Sequence, residues 1–308
     1  MTIEEIKNKG LLIYEVIAGS HSYGLNTSMS DIDKRGVFIE PIEYILGTKV
    51  IEQSCDEKQD YVLYALRKFI KLASDCNPNI IELLYTDESN ILYSNEIGDL
   101  LLENRDLFLS QKAKYTFTGY AYSQLKKIQG HNHWINNPQP INQPTIEEFM
   151  VTKKLADIKI EENIDGTIEF ISGKSQNTVT YFDIDAFRQK FRQWKQYWRW
   201  KEQRNPTRAT LEAISGYDTK HAMHLIRLLL MGKEILSMGR VIVKRPDREF
   251  LLDVRNGKYT FQEIEQIAID MMKEIESIRS DLPPYPNRDA IDKLLIQIYT
   301  QYYETHHV

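Results

Sequence analysis

The sequence predicts an α+β protein, with a small α/β domain over residues 1–92 followed by a mainly helical domain over 93–308 that carries a small β-hairpin insertion. Three observations predict it. Short β-branched and aromatic runs alternate with helical patterns only before about Asn95. Beyond that point, longer segments with apolar residues at helical spacing take over. An alternation of Thr, Ile, Phe, Val and Tyr over Thr167–Tyr181 then interrupts the helices.

The elements follow in order. Gly10–Ala18 contains the apolar run LLIYEVIA and reads as the first strand, meeting Gly19-Ser20 at its end. Gly36–Glu40, GVFIE, is a second strand that stops at Pro41. Lys49–Glu52 and Asp60–Tyr64 read as two more, the latter passing into a helix over Ala65–Ser74 with Leu66, Phe69, Ile70 and Ala73 on one face. Pro78 disfavours helical geometry at Asn77 and breaks that helix. Ile80–Tyr85 is apolar and short, and reads equally as helix or strand. Helical patterns then cover Glu96–Leu109 and Lys112–Gln129, before a Pro/Asn-rich loop over Asn136–Pro144. The hairpin is expected to turn around Ser172-Gly173. Asp183–Gln203 is the clearest long helix; Thr219–Met238 is closed by Gly239, and Thr260–Ser280 opens on a Thr cap with Glu263 three residues on. No internal repeat is present.

Composition excludes several classes. With 308 residues, 42 % of them hydrophobic and 27 % charged, the chain can bury a substantial core. No apolar run approaches the ~18 residues of a membrane span, and Glu4 and Glu5 stand where a signal peptide needs an apolar core. A cytoplasmic protein with no membrane partner is expected. Cys55 and Cys76 read as two free thiols, too few for a disulfide framework or zinc site. A net charge of −5 argues against a protein coated with basic residues for nucleic-acid binding. A local basic cluster does occur at Arg188–Arg208, where cations interleave with Phe187, Phe191, Trp194, Tyr197, Trp198 and Trp200. That helix reads either as a nucleic-acid surface or as a core helix with solvated charges.

The chemistry concentrates in GSHSYGLNTSMSDIDKRG, Gly19 to Gly36. Gly19-Ser20 after a strand lets the backbone approach a triphosphate, with N–H groups and the Ser20 hydroxyl facing phosphate oxygens. Asp31-Ile32-Asp33 on an extended backbone presents both carboxylates to one face and turns Ile32 into the core. Such a pair suits Mg2+, which takes oxygen ligands and borrows the rest from phosphates and water. Taken alone, Asp-x-Asp reads more readily as a solvated turn. Lys220, His224 and Arg227 share one face of the Thr219–Met238 helix, either as a cationic stripe for a triphosphate or acceptor, or as a solvated face. The His131-Asn-His133-Trp134 stretch, without a third ligand, reads as loop chemistry, and His306-His307 as a tail.

Gly19, Ser20, Asp31 and Asp33 together resemble the signature of the DNA polymerase β-type nucleotidyltransferase superfamily. The likeness is closer to its RNA-repair, RNA-ligase-associated branch, through GSHSYG at 19–24, SDIDKRGVFIEP at 30–41, DYVLYALRKFIKLASDCNPNIIELLY at 60–85 and GYDTKHAMHLIRLLLMGKEIL at 216–236. The resemblance implies a minimal domain with a mixed sheet, and transfer of a nucleotide from an NTP with two divalent ions, Mg2+ or Mn2+. It implies metal ligation and catalysis by Asp31, Asp33 and a third carboxylate, for which Asp60 fits and Asp56 and Glu52 are rivals. Gly19, Ser20 and Ser30 would hold phosphates, joined by Lys220 and Arg227, while Arg35 is expected in an ion pair beneath the site. The implied acceptor is an RNA or tRNA-like end, with an RNA ligase as pathway partner. Two rival functions are protein adenylylation of the toxin-antitoxin type and an inactive nucleotide or RNA sensor.

Overall fold

The computed structural model describes residues 1–28, 30–162, 168–204 and 206–305. Helix α1 (Ile3–Asn8) opens on a capping box between Thr2 and Glu5 and leads into strand β1 (Leu12–Ala18). β1 is buried along almost its whole length, and its one carboxylate, Glu15, is neutralised by Lys7 at 2.9 Å. A one-turn helix, α2 (Gly19–Ser22), follows, then β2 (Asp33–Phe38) and a second one-turn helix, α3 (Ile42–Ile45), after Pro41. Strands β3 (Gln53–Cys55) and β4 (Tyr61–Ala65) lead to α4 (Leu66–Ser74) and α5 (Pro78–Leu84), then β5 (Ile91–Ser94) and α6 (Glu96–Glu103). The sheet runs β3-β4-β2-β1-β5. β2 and β4 are parallel and every other neighbouring pair is antiparallel, so the sheet is mixed.

Helix α7 (Ala113–Asn136) begins the second half, followed by a hairpin of β6 (Met150–Glu162) and β7 (Ile168–Phe182). Then come α8 (Ile184–Glu202), α9 (Pro206–Ser215), α10 (Thr219–Met238), α11 (Arg248–Arg255), α12 (Phe261–Ser277) and α13 (Arg288–Thr305). The α+β class is as expected. α10 is core rather than surface: Ala222, Met223, Leu225, Ile226, Leu228, Leu229 and Ile235 are all buried. Gly239 ends it in the left-handed region at φ 62°, where a Cβ would be strained. α13 returns to the sheet domain, where Tyr299 donates to the buried Glu40 carboxylate at 2.7 Å and Tyr302 to the Gly10 carbonyl at 3.2 Å. Two compact units result. One combines Met1–Asn132 with Thr210–Val308, and the other is His133–Ala209.

Several local expectations are corrected. Ser172 and Gly173 do not form the hairpin turn: they lie within β7, paired with Ile158 and Asp157. The partner strand, MVTKKLADIKIEE, is rich in charge, which hides its alternation; the connecting residues 163–167 lie outside the described ones. His131, His133 and Trp134 are helical, because α7 runs on to Asn136. The strand expected at Lys49–Glu52 forms at Gln53–Cys55 instead. Ile80–Tyr85 resolves as helix, with Asn77 capping the Asn79 amide and Pro78 at the first turn. His306-His307 lies outside the described residues.

Candidate active site

The site is built where β1 ends. Gly19 enters α2 at φ 66°, and a Cβ placed there would lie 2.3 Å from Asp33 Oδ2 and 3.2 Å from its Cγ. Glycine is therefore required twice, for the backbone and for the approach of the carboxylate. The antiparallel register sets Ala18 opposite Asp33, so the turn and the aspartate meet by sheet geometry. Ser20 accepts the Leu25 amide on its carbonyl at 2.8 Å, which folds the segment after α2 back over it.

Asp33 is the first residue of β2, and Asp31 lies exposed just ahead of the strand. Ile32 does not turn into the core; it is 55 % exposed, because pleating begins only at Asp33. Ser30 closes the preceding loop by accepting the Thr27 amide at 2.9 Å on its hydroxyl. Asp60 immediately precedes β4, and its carbonyl accepts from Lys34 N at 2.7 Å and Arg35 Nη1 at 2.8 Å. Since Lys34 pairs with Tyr61, the parallel register makes Asp33 and Asp60 neighbours at the start of adjacent strands. The rivals are otherwise engaged. Asp56 accepts the Tyr61 amide at 3.1 Å and shapes the β3–β4 turn, whereas Glu52 pairs with Lys68 at 3.1 Å. Arg35 bonds the Lys34 and Asp60 carbonyls and reaches Asp33 Oδ1 at 3.5 Å, the ion pair expected of it.

A cleft of about 220 Å³ opens over this end of the sheet, lined by Gly19, Ser22, Asp33, Arg35, Asn79 and Glu82 among others. Asp60 does not line it. Glu82, on α5, is buried, with one carboxylate oxygen on Arg227 of α10 and the other on the Tyr23 hydroxyl. The Arg227 guanidinium lies 3.7 Å from the Tyr23 ring centre, a cation–π contact strengthened by desolvation. Burial pushes the Tyr23 hydroxyl pKa well up, so it remains a donor. Burial opposes the Arg227 charge, and Glu82 beside it overrides that and holds it protonated. Burial, then the Arg227 charge, pushes His224 down to about 3. The imidazole is therefore neutral and receives Arg227 Nη2 at 3.1 Å.

The stripe predicted on α10 is thus graded rather than uniform. Lys220 is exposed, His224 half-buried, and Arg227 only 1 % exposed. A phosphate reaching Arg227 would have to displace Glu82. Sequence reasoning passed over Glu82, Tyr23 and Asn79. The available signal was a carboxylate inside the otherwise apolar run IIELL of α5, a position where burial demands a partner.

In the His133–Ala209 unit, the aromatics of α8 pack in series. Phe187, Phe191 and Trp194 stack at centroid distances of 5.8 and 6.0 Å. Trp194 and Trp198 both donate their indole N–H to the Pro140 carbonyl, at 2.9 and 3.0 Å. Arg188, Arg192 and Lys195 remain exposed. The aromatics therefore do the structural work, and the cations form the accessible face.

A mixed sheet whose Gly-Ser turn packs on an aspartate of the next strand is the arrangement implied by the polymerase β-type resemblance. Residues 1–142 match the model of the family described as the RNA repair pathway DNA polymerase beta family. The chain is also 24 % identical over 307 residues to an uncharacterized 38.9 kDa protein in the nrdC-mobD intergenic region of Enterobacteria phage T4, covering 89 % of this chain and 91 % of that protein. No solved structure matches the chain. Among the described residues, no helix is long and apolar enough to cross a membrane.

Proposed function

We propose that this chain is a metal-dependent nucleotidyltransferase that moves an NMP from an NTP to an acceptor hydroxyl, and that the acceptor is an RNA end. The observation that carries the reading is the contact between Gly19 and Asp33, which joins a phosphate-approaching turn to a carboxylate inside a cleft. The match of residues 1–142 to an RNA repair family supports both the reaction and the acceptor. In this reading residues 1–92 carry the transfer, and the helical remainder selects the acceptor. A partner in an RNA-ligase pathway would use the repaired end.

Asp31, Asp33 and Asp60 supply the oxygen donors a hard cation takes, although among the described residues they do not gather into a three-ligand cluster. Asp33 is partly exposed in the cleft, Asp31 and Asp60 lie beside it in chain and register, and all offer oxygen. These three would hold two divalent ions, Mg2+ or Mn2+; when bound, such ions neutralise triphosphate charge and lower the pKa of an acceptor hydroxyl. Gly19 and Ser20 would admit the phosphates to the backbone at the turn into α2, where Gly19 carries no Cβ. Ser30 would hold the loop that carries Asp31, and Arg35 would fix Asp33 and the Asp60 carbonyl. Lys220 would meet the substrate at the exposed end of its stripe. Arg227, through Glu82 and Tyr23, would hold the cleft wall rather than touch phosphate.

The test is incubation of the full chain with each α-labelled NTP, Mg2+ or Mn2+, and either cleaved RNA or a protein extract. Label is expected on RNA and is abolished by Asp33→Asn. Label that appears on protein and never on RNA overturns the acceptor in favour of protein adenylylation. No transfer with any acceptor, while NTP still binds, overturns the reaction in favour of a sensor.

A further inference from the structure

Outside the cleft, a cluster with the donors of a transition-metal site joins two helices. His131 near the end of α7, Asp218 just before α10 and His221 in its first turn each offer one ligand atom, and these atoms lie within 4.8 Å of one another. His131 Nδ1 is 3.0 Å and His221 Nδ1 2.7 Å from the same Asp218 Oδ2. The rings stand edge to face at 89°, with centroids 5.6 Å apart, so their nitrogens converge on the carboxylate. Tetrahedral zinc bonds of about 2.0–2.2 Å place adjacent ligand atoms about 3.3–3.6 Å apart. To seat an ion, the two histidine–Asp218 separations would therefore widen by about 0.3–0.9 Å.

The surroundings hold these donors in place. The Asp218 side chain is 6 % exposed, and its other oxygen accepts the His221 amide at 3.0 Å as the cap of α10. Next to His131, Asn132 donates to the Gly216 carbonyl at 2.9 Å, which pins the turn carrying Asp218 against α7. Tyr217 in that turn is fully buried and donates to the Tyr259 carbonyl at 2.8 Å. The imidazoles are 21 % and 26 % exposed, which leaves one side open to water. Fixed ligands with an outer layer of hydrogen bonds and one open side are the requirements of a three-ligand zinc site.

We propose that His131, Asp218 and His221 bind one divalent transition-metal ion, Zn2+ in chemical class, with water completing the coordination. Two imidazoles distinguish it from the all-oxygen donor set of the cleft, because nitrogen donors favour zinc over magnesium. Each imidazole coordinates through Nδ1 and carries its proton on Nε2, so neutral histidine binds without net proton release. The ion ties α7 to the start of α10, the helix that also carries Arg227. The site is independent of the proposed transfer reaction.

The test uses the full chain stripped with a chelator, titrated with Zn2+ by calorimetry and with Co2+ while recording visible absorption. With excess Mg2+ present to occupy the cleft carboxylates, one equivalent is expected, with a Co2+ d–d band in the wild type. His131→Gln and His221→Gln should each weaken binding at least 10-fold and remove the band, with the far-ultraviolet circular dichroism unchanged. Asp33→Asn and the double variant His306→Gln/His307→Gln should keep both the stoichiometry and the band. Absence of Zn2+ uptake by the wild type, or equal uptake by His131→Gln and wild type, overturns the proposal and leaves the cluster as hydrogen bonding to Asp218. Asp218→Asn is the weaker test, since it also removes the cap of α10.

Discussion

Replacing Gly19 with alanine perturbs backbone and carboxylate at once, and the size of each effect can be worked from the geometry. At φ 66° a Cβ costs about 1–2 kcal/mol in backbone strain alone. The new carbon would also lie 2.3 Å from Asp33 Oδ2, where ordinary contact begins near 3.4 Å. The carboxylate must therefore retreat by about 1 Å, or the turn must open by as much. A stability loss of about 1–3 kcal/mol follows, worth roughly 1.5 °C of Tm per kcal/mol in a chain of this size. If Asp33 serves nucleotidyl transfer, a displacement of about 1 Å should also lower kcat on the order of 100-fold. Gly119→Ala is the matched control, since it sits inside α7 with open space around its Cβ position. It should be neutral or stabilising by up to about 1 kcal/mol. The assays are thermal melting by circular dichroism and transfer of labelled nucleotide. Equal melting temperatures and equal activity in Gly19→Ala and wild type would refute the coupling of turn to carboxylate.

Three further outcomes are expected. Glu82→Gln leaves the Arg227 charge buried without its counter-charge and should cost about 3–5 kcal/mol in urea unfolding. Glu82→Gln/Arg227→Met should lose less than the sum of its single variants, and strict additivity would show that the pair is not coupled. His224 is held down to about 3 in the fold against an ordinary value of 6.5, so below pH 6.5 the unfolded chain takes up a proton that the fold refuses. Stability should then fall with pH across the window from 6.5 to 3, by about 1 kcal/mol per unit at its steepest. Asp218 adds to the loss only below its ordinary value of 3.8: burial raises its carboxyl, but hydrogen bonds from His131 and His221 outweigh that and hold it far below the usual range. Urea midpoints at pH 7 and 4.5 measure the loss. His224→Gln should flatten the slope, and an unchanged slope would rule His224 out as its source. Finally, Arg188→Gln/Arg192→Gln/Lys195→Gln should weaken binding of single-stranded RNA and reduce the slope of log affinity against log salt by about 2. An unchanged slope would mean these cations contact no phosphate.

The parts of the fold legible in the sequence were those where a local rule and the packing agree. The Thr260–Glu263 capping box and the left-handed Gly239 marked two helix ends. Their signals depend on neighbouring residues alone, so no tertiary contact can overrule them. β5 escaped notice because it is four residues long and largely exposed at the sheet edge, with too little alternation to register. The continuation of α7 past Gln129 to Asn136 was hidden by Gly130 and the polar residues after it, which favour loops in isolation. In the candidate site, Gly19, Asp31 and Asp33 stood out because the Gly-Ser and Asp-x-Asp spacing is itself a pattern visible in the sequence. The outward turn of Ile32 did not, because it depends on where the ladder begins. Glu82 and His131 were opaque for a third reason: each acquires its meaning from a partner on α10 or just before it, 145 residues on for Glu82 and 87 for His131.

That separation gives the molecule an order of assembly. At synthesis rates of about 5–20 residues per second, Arg227 emerges roughly 7–29 s after Glu82. During that interval the sheet can pair and Gly19 can meet Asp33, yet closing α5 over the cleft would bury a carboxylate with no counter-charge. The wall of the cleft must therefore stay open to water while the whole His133–Ala209 unit is being made. A nascent chain halted before α10 lacks the arginine that pairs with Glu82 in the finished fold.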